Sequence, residues 1–317
     1  MHLDSKIFIA GHRGLIGSAF VSLLKNEGYN NLLIKSHEEL DLVDAKDVAN
    51  FFASEKPEYV VLAAGKVGGI VDNENFPADF LRINIAIQTN VIHSAQLWNT
   101  KKLIFFGSSC MYPKNIQEPM TEEMLFSGIP EPTSMSYAVS KMAGLQMCLA
   151  YNKQFGHQKF IPVIPNSAFG PNDNFNTESG HVLASFIRKL HEAKINNLKV
   201  VTFWGTGKSY REFIYSAEIA RACLILMHAE LKDLKLPINI GSGSDISIKQ
   251  LAEKIASIVG YTGEIHWDST KPDGAKKKLL NSKRMRQLGW SPEISFEEAL
   301  KITYEWYIKN MSMQLSR

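Results

Sequence analysis

The sequence predicts an α/β protein: a Rossmann-type doubly wound parallel sheet with a smaller, interleaved C-terminal α/β lobe. Three observations predict it. Short apolar runs alternate with amphipathic stretches through the first half of the chain, the signature of βα units. A glycine-rich turn, IAGHRGLIG, joins the first such run to the first amphipathic stretch. After residue 170 the rhythm loosens, yet no low-complexity linker separates the two parts.

The elements follow in order. KIFIAG (6–11) reads as a buried strand and 18–28 as a helix closed by Gly28. A second strand covers 31–36, and 44–56 is a helix with Asp44 as N-cap. A third strand spans 59–65; apolar residues at helical spacing run over 79–100; 101–109 is a fourth strand. Helix 136–155 and strand 160–165 complete this half. Beyond the Asn-, Gly- and Pro-rich loop 170–181 come helix 181–194, strand and turn 200–207 and helix 216–231. Strand, turn and helix follow over 238–260, then the run EIHWD and helix 295–310. The nucleotide-binding domain is expected over 1–168, with segments near 212–242 returning to it. The substrate lobe is expected over 169–211 and 243–317.

With 317 residues, 45% of them hydrophobic and 21% charged, the chain has ample material for a core. A net charge of +3 gives no reason to expect nucleic acid or an anionic membrane as partner. Three cysteines, Cys110, Cys148 and Cys223, without a CxxC pair, suit a reducing compartment. No apolar run reaches the roughly 18 residues of a membrane span. A cytoplasmic protein is expected.

Gly11, Gly14 and Gly17 follow the first strand in a GxxGxxG spacing. Glycines there allow a tight turn and let backbone N–H groups at the helix start approach a pyrophosphate. NAD-binding chains carry an acid about 20 residues further on, for the ribose 2′-hydroxyl. Here the second strand ends in Lys35-Ser36-His37. Arg13, Lys35 and His37 offer positive groups for a 2′-phosphate, which favours NADP. GTGKS (205–209) ends like a P-loop but has Thr202 where that motif needs its first glycine.

Tyr137 and Lys141 in SYAVSK stand four apart, on one helix face. A phenol near pKa 10 is a poor proton donor or acceptor at neutral pH. A neighbouring ammonium is expected to lower it. Ser108, in GSSCMYP after the fourth strand, stands where ligands bind in open parallel sheets. Such a row suits hydride transfer to a carbonyl.

The glycine turn, Ser108 and YxxxK together resemble the extended short-chain dehydrogenase/reductase superfamily. GHRGLIGSA, KVGGI (66–70), GSSCMYP, SYAVSK, FGPNDNF (169–175), His181, WGTGKSYREF (204–213) and KPDGAKKKLL (271–280) resemble, over nearly the whole chain, the GDP-L-fucose synthases. Those enzymes invert carbons 3 and 5 of GDP-4-keto-6-deoxy-mannose and then reduce carbon 4 with NADPH. The resemblance implies that Tyr137 is the acid for the carbonyl, that Lys141 lowers its pKa and touches the nicotinamide ribose, and that Ser108 holds the keto oxygen. It implies Cys110 as base and His181 as acid for the epimerisations. It implies cofactor contacts from Gly11, Arg13, Gly14, Leu15, Ile16, Gly17, Lys35, His37, Asp41, Ala63, Ala64 and Gly65. Substrate contacts would come from Ser109, Ser167, Arg188, Lys189, Trp204, Arg211 and Lys277, and the assembly would be a homodimer through helices 79–100 and 136–155.

Protons beside a ketone are acidic because the enolate places charge on oxygen. Inverting such a carbon needs two acid–base groups. A thiol near 8.5 and an imidazole near 6.5 span the useful range.

Some residues depart from the family pattern. Ser167 and Ala168 stand where an Asn and an aromatic are usual, and Lys189 follows Arg188 where two arginines are typical. Glu178 and Gly180 precede His181; Tyr215, Ser216 and Ala217 replace a His, a Val and an acid; Lys35 and His37 replace arginines. These leave open a second reading, a C4 reductase of a GDP-4-keto-6-deoxy-heptose without epimerase activity, for surface polysaccharide. A third, a non-catalytic nucleotide-binding protein, conflicts with the intact Ser108, Tyr137 and Lys141. The basic run 276–286 lacks interleaved aromatics and does not read as a nucleic-acid site.

Overall fold

A computed structural model describes residues 1–116, 119–177, 179–271, 273 and 277–314, with side chains described through residue 310. The order begins β1 (Ile7–Ala10), α1 (Leu15–Asn26), β2 (Leu32–Leu33), α2 (Ala45–Glu55), β3 (Tyr59–Leu62), α3 (Ile70–Asn75), α4 (Pro77–Leu97) and β4 (Lys102–Phe106). It continues α5 (Met135–Phe155), β5 (Phe160–Pro165), β6 (Ser167–Phe169), α6 (Val182–Ile195), β7 (Val200–Trp204), β8 (Tyr210–Arg211), β9 (Phe213–Tyr215) and α7 (Ser216–His228). It ends β10 (Ile238–Ile240), β11 (Ile246–Ser247), α8 (Ile248–Val259), β12 (Glu264–Asp268), α9 (Lys283–Gln287) and α10 (Phe296–Gln314).

Six strands form one parallel sheet in the order β10-β5-β4-β3-β1-β2. Successive side chains of a strand face opposite sides. Ile7 and Ile9 therefore pack with Phe20 of α1 and Cys223 of α7. Phe8 and Ala10 pack with Phe52 of α2, Val91 of α4 and Cys148 of α5. Covering both faces is what lets these strands be almost wholly apolar. A third apolar cluster, including Phe169, Phe203, Leu251 and Tyr304, fills the C-terminal part. There β7 pairs with β12, β8 with β11 and β6 with β9.

The strand order reverses at β1, whose neighbours are β2 on one side and β3 on the other. Ligands bind open parallel sheets beyond the carboxyl ends of the strands at such a point. The loops that start at Gly11, Ala63 and Gly107 all leave the sheet at this end.

Several expectations shift. Helix α1 begins at Leu15 rather than residue 18, so Gly17 lies in its first turn. The second strand is two residues long, not six, and the third stops at Leu62. Asp44 caps α2 as expected, its carboxylate accepting from the N–H groups of Lys46 and Asp47. Elements α3, α9, β6, β8 and β9 are two to six residues long. Tertiary pairing supports elements so short, and they leave no periodic trace in the sequence. Glu178 and Lys276 lie outside the described residues.

Candidate active site

The nucleotide end is built by close approach. Gly11 sits at φ +85°, and a Cβ there would stand 2.7 Å from the backbone nitrogen of Ala64. A Cβ on Gly17 would stand 2.1 Å from the carbonyl oxygen of Gly11. The first turn of α1 is thus pressed onto the loop after β1. Gly14 caps α1 with no side-chain hydrogen bond, and no acidic residue occupies its first turn. Its N–H groups and the positive end of its dipole suit a phosphate.

Arg13 is exposed beside this turn, and Leu15 and Ile16 are half-buried. Lys35 lies 3.9 Å from Glu39, and His37 lies 3.6 Å from Asp41. Glu39 also accepts from the N–H of Ser36 at 2.7 Å, a bond that holds its carboxyl below the usual range. Glu39, six residues beyond β2, thus folds back onto Lys35 and Ser36 in the segment that follows the strand. Asp41 serves its own turn, accepting from the N–H of Val43 at 2.9 Å. Ala63, Ala64 and Gly65 are half-buried beyond β3, and Lys141 Nζ lies 3.5 Å from where a Cβ would stand on Gly65.

Ser108 follows β4 in extended conformation (φ −152°) and caps the short turn Ser109–Met111, its Oγ accepting from the N–H of Cys110 at 3.2 Å. Ser109 is buried. Tyr137 and Lys141 lie one turn apart on α5. Ser140 between them donates to the Tyr137 carbonyl at 2.7 Å, and Gln88 of α4 donates to the Ser140 carbonyl at 2.6 Å. These bonds fix the rotation of α5. Lys141 Nζ stands 5.2 Å from the centre of the Phe105 ring and 5.9 Å from that of Tyr137. With its ammonium buried, Lys141 falls to a pKa of about 8.

One expectation is corrected here. Desolvation, together with the nearby Cys110, pushes the Tyr137 phenol above its ordinary pKa, and the hydrogen bond with Ser108 only partly opposes this. Lys141 does not lower it in the ligand-free protein. Its own ammonium is desolvated and stands 5.9 Å from the centre of the Tyr137 ring. Tyr137 is a firmly protonated donor.

Cys110 and His181 move in opposite directions. Burial would raise the Cys110 thiol. Lys278, hydrogen bonds from Ser108 and Ser134, and His181 together hold it below its ordinary value. His181 is raised, chiefly by its interaction with Asp173 against the cost of desolvation, with help from the Cys110 charge. His181 caps α6, and its Nδ1 lies 3.5 Å from Asp173 Oδ1. One group is readied to take a proton and the other to give one.

The remaining substrate-contact candidates lie in the C-terminal part. Ser167 opens β6 and Ala168 follows it. Arg188 is bound to Glu192 at 2.7 Å, and Lys189 Nζ lies 5.9 Å from the Phe203 ring centre. Trp204 is exposed with Lys271 over its ring at 5.6 Å, and Arg211 donates to the Tyr210 carbonyl at 2.6 Å. Lys277 is paired with Asp245 at 3.1 Å. Its neighbour Lys278 is the lysine whose charge reaches Cys110. Buried Glu212 stitches that segment down. Its N–H donates to the Lys278 carbonyl at 3.3 Å, and its carboxylate accepts from the Leu280 N–H at 2.9 Å and from Asn166.

Sequence reasoning thus missed Ser134, Asp173 and Lys278. Ser134 stands one helical turn before Tyr137, which was a usable signal. Asp173 was inside a quoted motif without a role, and Lys278 was indistinguishable from its neighbours in a basic run.

Comparison with known proteins places the chain in a family. The model of the NAD dependent epimerase/dehydratase family matches residues 7–241. A putative GDP-L-fucose synthase 2 of Arabidopsis thaliana is 49% identical over 309 residues, 97% of this chain and 93% of that one. A GDP-mannoheptose C4 reductase of Campylobacter jejuni, solved with NADP bound, superposes with a TM-score of 0.89 at 41% identity, covering 97% of this chain and 99% of the other. A GDP-L-fucose synthetase of Naegleria fowleri bound to NADP gives 0.91 at 32% identity, covering 98% and 95%.

Proposed function

The chain belongs to the NAD dependent epimerase/dehydratase family, and on that footing we propose that it inverts carbons 3 and 5 of GDP-4-keto-6-deoxy-mannose and reduces carbon 4, as a GDP-L-fucose synthase. The observation that carries this reading is the oppositely tuned pair Cys110 and His181 beside the Ser108–Tyr137–Lys141 row.

NADPH, when bound, would supply the hydride. The uncapped start of α1 over Gly11, Gly14 and Gly17 would hold its pyrophosphate, with Leu15, Ile16, Ala63, Ala64 and Gly65 around it. Arg13, Lys35 and His37 would face the 2′-phosphate, and Glu39 stands 3.9 Å from Lys35. Lys141, buried without a carboxylate partner among the described residues, suits the ribose hydroxyls.

Cys110 as thiolate takes the proton from the carbon beside the ketone, and Ser108 and Tyr137 hold the charge that develops on the C4 oxygen. His181 returns a proton from the opposite face. In the reduction Tyr137 donates its proton to the C4 oxygen. Ser109 and Ser167 from the 1–168 domain, with Arg188, Lys189, Trp204, Arg211 and Lys277 from a lobe formed by 169–211 and 243–317, are the proposed contacts of the GDP-sugar. Lys277 must first leave Asp245.

Proton NMR of GDP-4-keto-6-deoxy-mannose with the protein in D₂O tests this, first without NADPH and then with it. Deuterium entering at carbons 3 and 5 before NADPH is added is expected. Reduction without exchange would refute the epimerase. It would favour the second reading, a GDP-4-keto-6-deoxy-heptose C4 reductase without epimerase activity, for which the similarity to the Campylobacter enzyme and the small Ser167 and Ala168 speak.

The protein is also read as a cytoplasmic homodimer that serves polysaccharide biosynthesis. Among the described residues no helix is long and apolar enough to cross a membrane. Ile85 on α4 and Val139 and Phe155 on α5 expose apolar surface on the two helices that would pair. Sedimentation at micromolar concentration should give twice the chain mass.

A further inference from the structure

We propose that Asp173 is a positioning residue for His181, holding the imidazole with Nδ1–H toward its carboxylate so that Nε2 is the nitrogen presented to the substrate. Its consequence for epimerisation rests on the reading above; the tether itself does not.

Asp173 is 4% exposed. A buried carboxylate needs partners, since an unpaired one costs several kcal/mol. Its Oδ1 accepts from the Asn174 N–H at 2.8 Å and faces His181 Nδ1 at 3.5 Å. Its Oδ2 is buried with no hydrogen-bond partner among the described residues. The carboxylate therefore has unused acceptor capacity beside a ring that carries a donor. The separation is long for a hydrogen bond, as catalytic contacts in ligand-free sites often are.

The loop between them is built to hold this meeting. Asn174 Oδ1 accepts from the Asn176 N–H at 3.0 Å, and Asn174 Nδ2 donates to Ser179 Oγ at 3.3 Å. Asn176 Oδ1 accepts from the Ser179 N–H at 3.1 Å, and its carbonyl accepts from the Gly180 N–H at 3.0 Å. The Gly69 N–H donates to the Ser179 carbonyl at 3.0 Å, pinning the loop from the far side. Eight positions apart in sequence, Asp173 and His181 are brought together across a loop that these hydrogen bonds tie to itself.

The tether also answers an electrostatic problem. His181 caps α6, where the positive end of the helix disfavours an imidazolium. Yet the ring gains protons relative to an ordinary histidine, and Asp173 is the principal cause. Among the described residues the other titratable group acting on it is the Cys110 thiol. From the loop and helix packed against residues 170–181, Lys66 points to the rings of Phe76 and Phe80, and Asp72 lies against Gly68.

The test is ¹⁵N NMR of the histidine rings in ligand-free protein, with His181 assigned by loss of its signals in His181→Gln. In the wild type the neutral ring should be the Nδ1–H tautomer; an Nε2–H tautomer overturns the proposal whether or not any variant folds. In Asp173→Asn the His181 pKa should fall by about one unit or more, with circular dichroism and the other histidine signals reporting the fold. The alkaline limb of the C3/C5 deuterium-exchange profile should move down by the same amount. That lowers exchange at pH 8 about tenfold, since the protonated fraction falls tenfold per unit. An unmoved His181 pKa overturns the proposal. A moved pKa in a protein whose wild type exchanges nothing supports the tether and refutes the proposed function instead.

Discussion

Gly17→Ala sets two known effects against each other, and the structure says which wins. Alanine is the better helix former by about 1 kcal/mol, so on propensity alone α1 should gain. The new Cβ, however, would stand 2.1 Å from the Gly11 carbonyl oxygen, 2.7 Å from its carbon and 2.9 Å from His12 Cα. All three are backbone atoms that cannot rotate away. Restoring even a 3.0 Å contact to the oxygen requires 3.0 − 2.1 = 0.9 Å of movement between α1 and the glycine turn. Overpacking of this kind costs about 1–3 kcal/mol, more than the propensity gain. With the pyrophosphate bound as proposed at the start of α1, the same movement would withdraw an α1 N–H from it. A hydrogen bond to a charged group is worth about 1.5–3 kcal/mol, so NADPH affinity should fall about ten- to a hundredfold. Thermal unfolding and fluorescence titration with NADPH would measure both. A raised melting temperature with unchanged affinity would refute the close-approach account of the turn.

Three further outcomes follow from the site. Tyr137→Phe should lower reduction of the ketone about 10²- to 10⁴-fold, read as NADPH consumption at 340 nm; normal turnover would remove Tyr137 from the chemistry. Cys110→Ser should abolish deuterium entry at carbons 3 and 5, because a serine hydroxyl does not ionise near neutral pH; wild-type exchange in that variant would make Cys110 structural. Lys141 has a folded pKa of about 8, below its ordinary value of 10.5, so between those values the unfolded chain binds more protons and stability from this group rises with pH. Below pH 8 the cost of burying the ammonium is fully present. Lys141→Met should therefore raise the melting temperature at pH 7 and lose that advantage by pH 10, and an equal effect at both would contradict the burial of a charged lysine.

The sequence alone determined the sheet. Runs such as IFIA and YVVL are apolar on both faces because helices cover both sides, and that pattern survives in the linear string. It also determined the glycine turn and the Ser108, Tyr137 and Lys141 row, since strand ends and helical spacing fix where such residues meet. Asp44 was legible as a cap because capping is local chemistry.

What the tertiary structure decided is of another kind. That Lys278 rather than Lys277 reaches Cys110 depends on Asp245 claiming one lysine and Glu212 pinning the backbone of the other. That Glu39 comes back against Lys35 depends on its carboxylate accepting from the Ser36 N–H. The acidity of Tyr137 runs opposite to expectation because desolvation is a property of the surrounding atoms, and no spacing along the chain encodes it. Asp173 meets His181 through a loop without periodicity, where contacts are set by hydrogen bonds between side chains several residues apart. Periodic patterns announce elements, and charges across loops act only once folding has excluded the water between them.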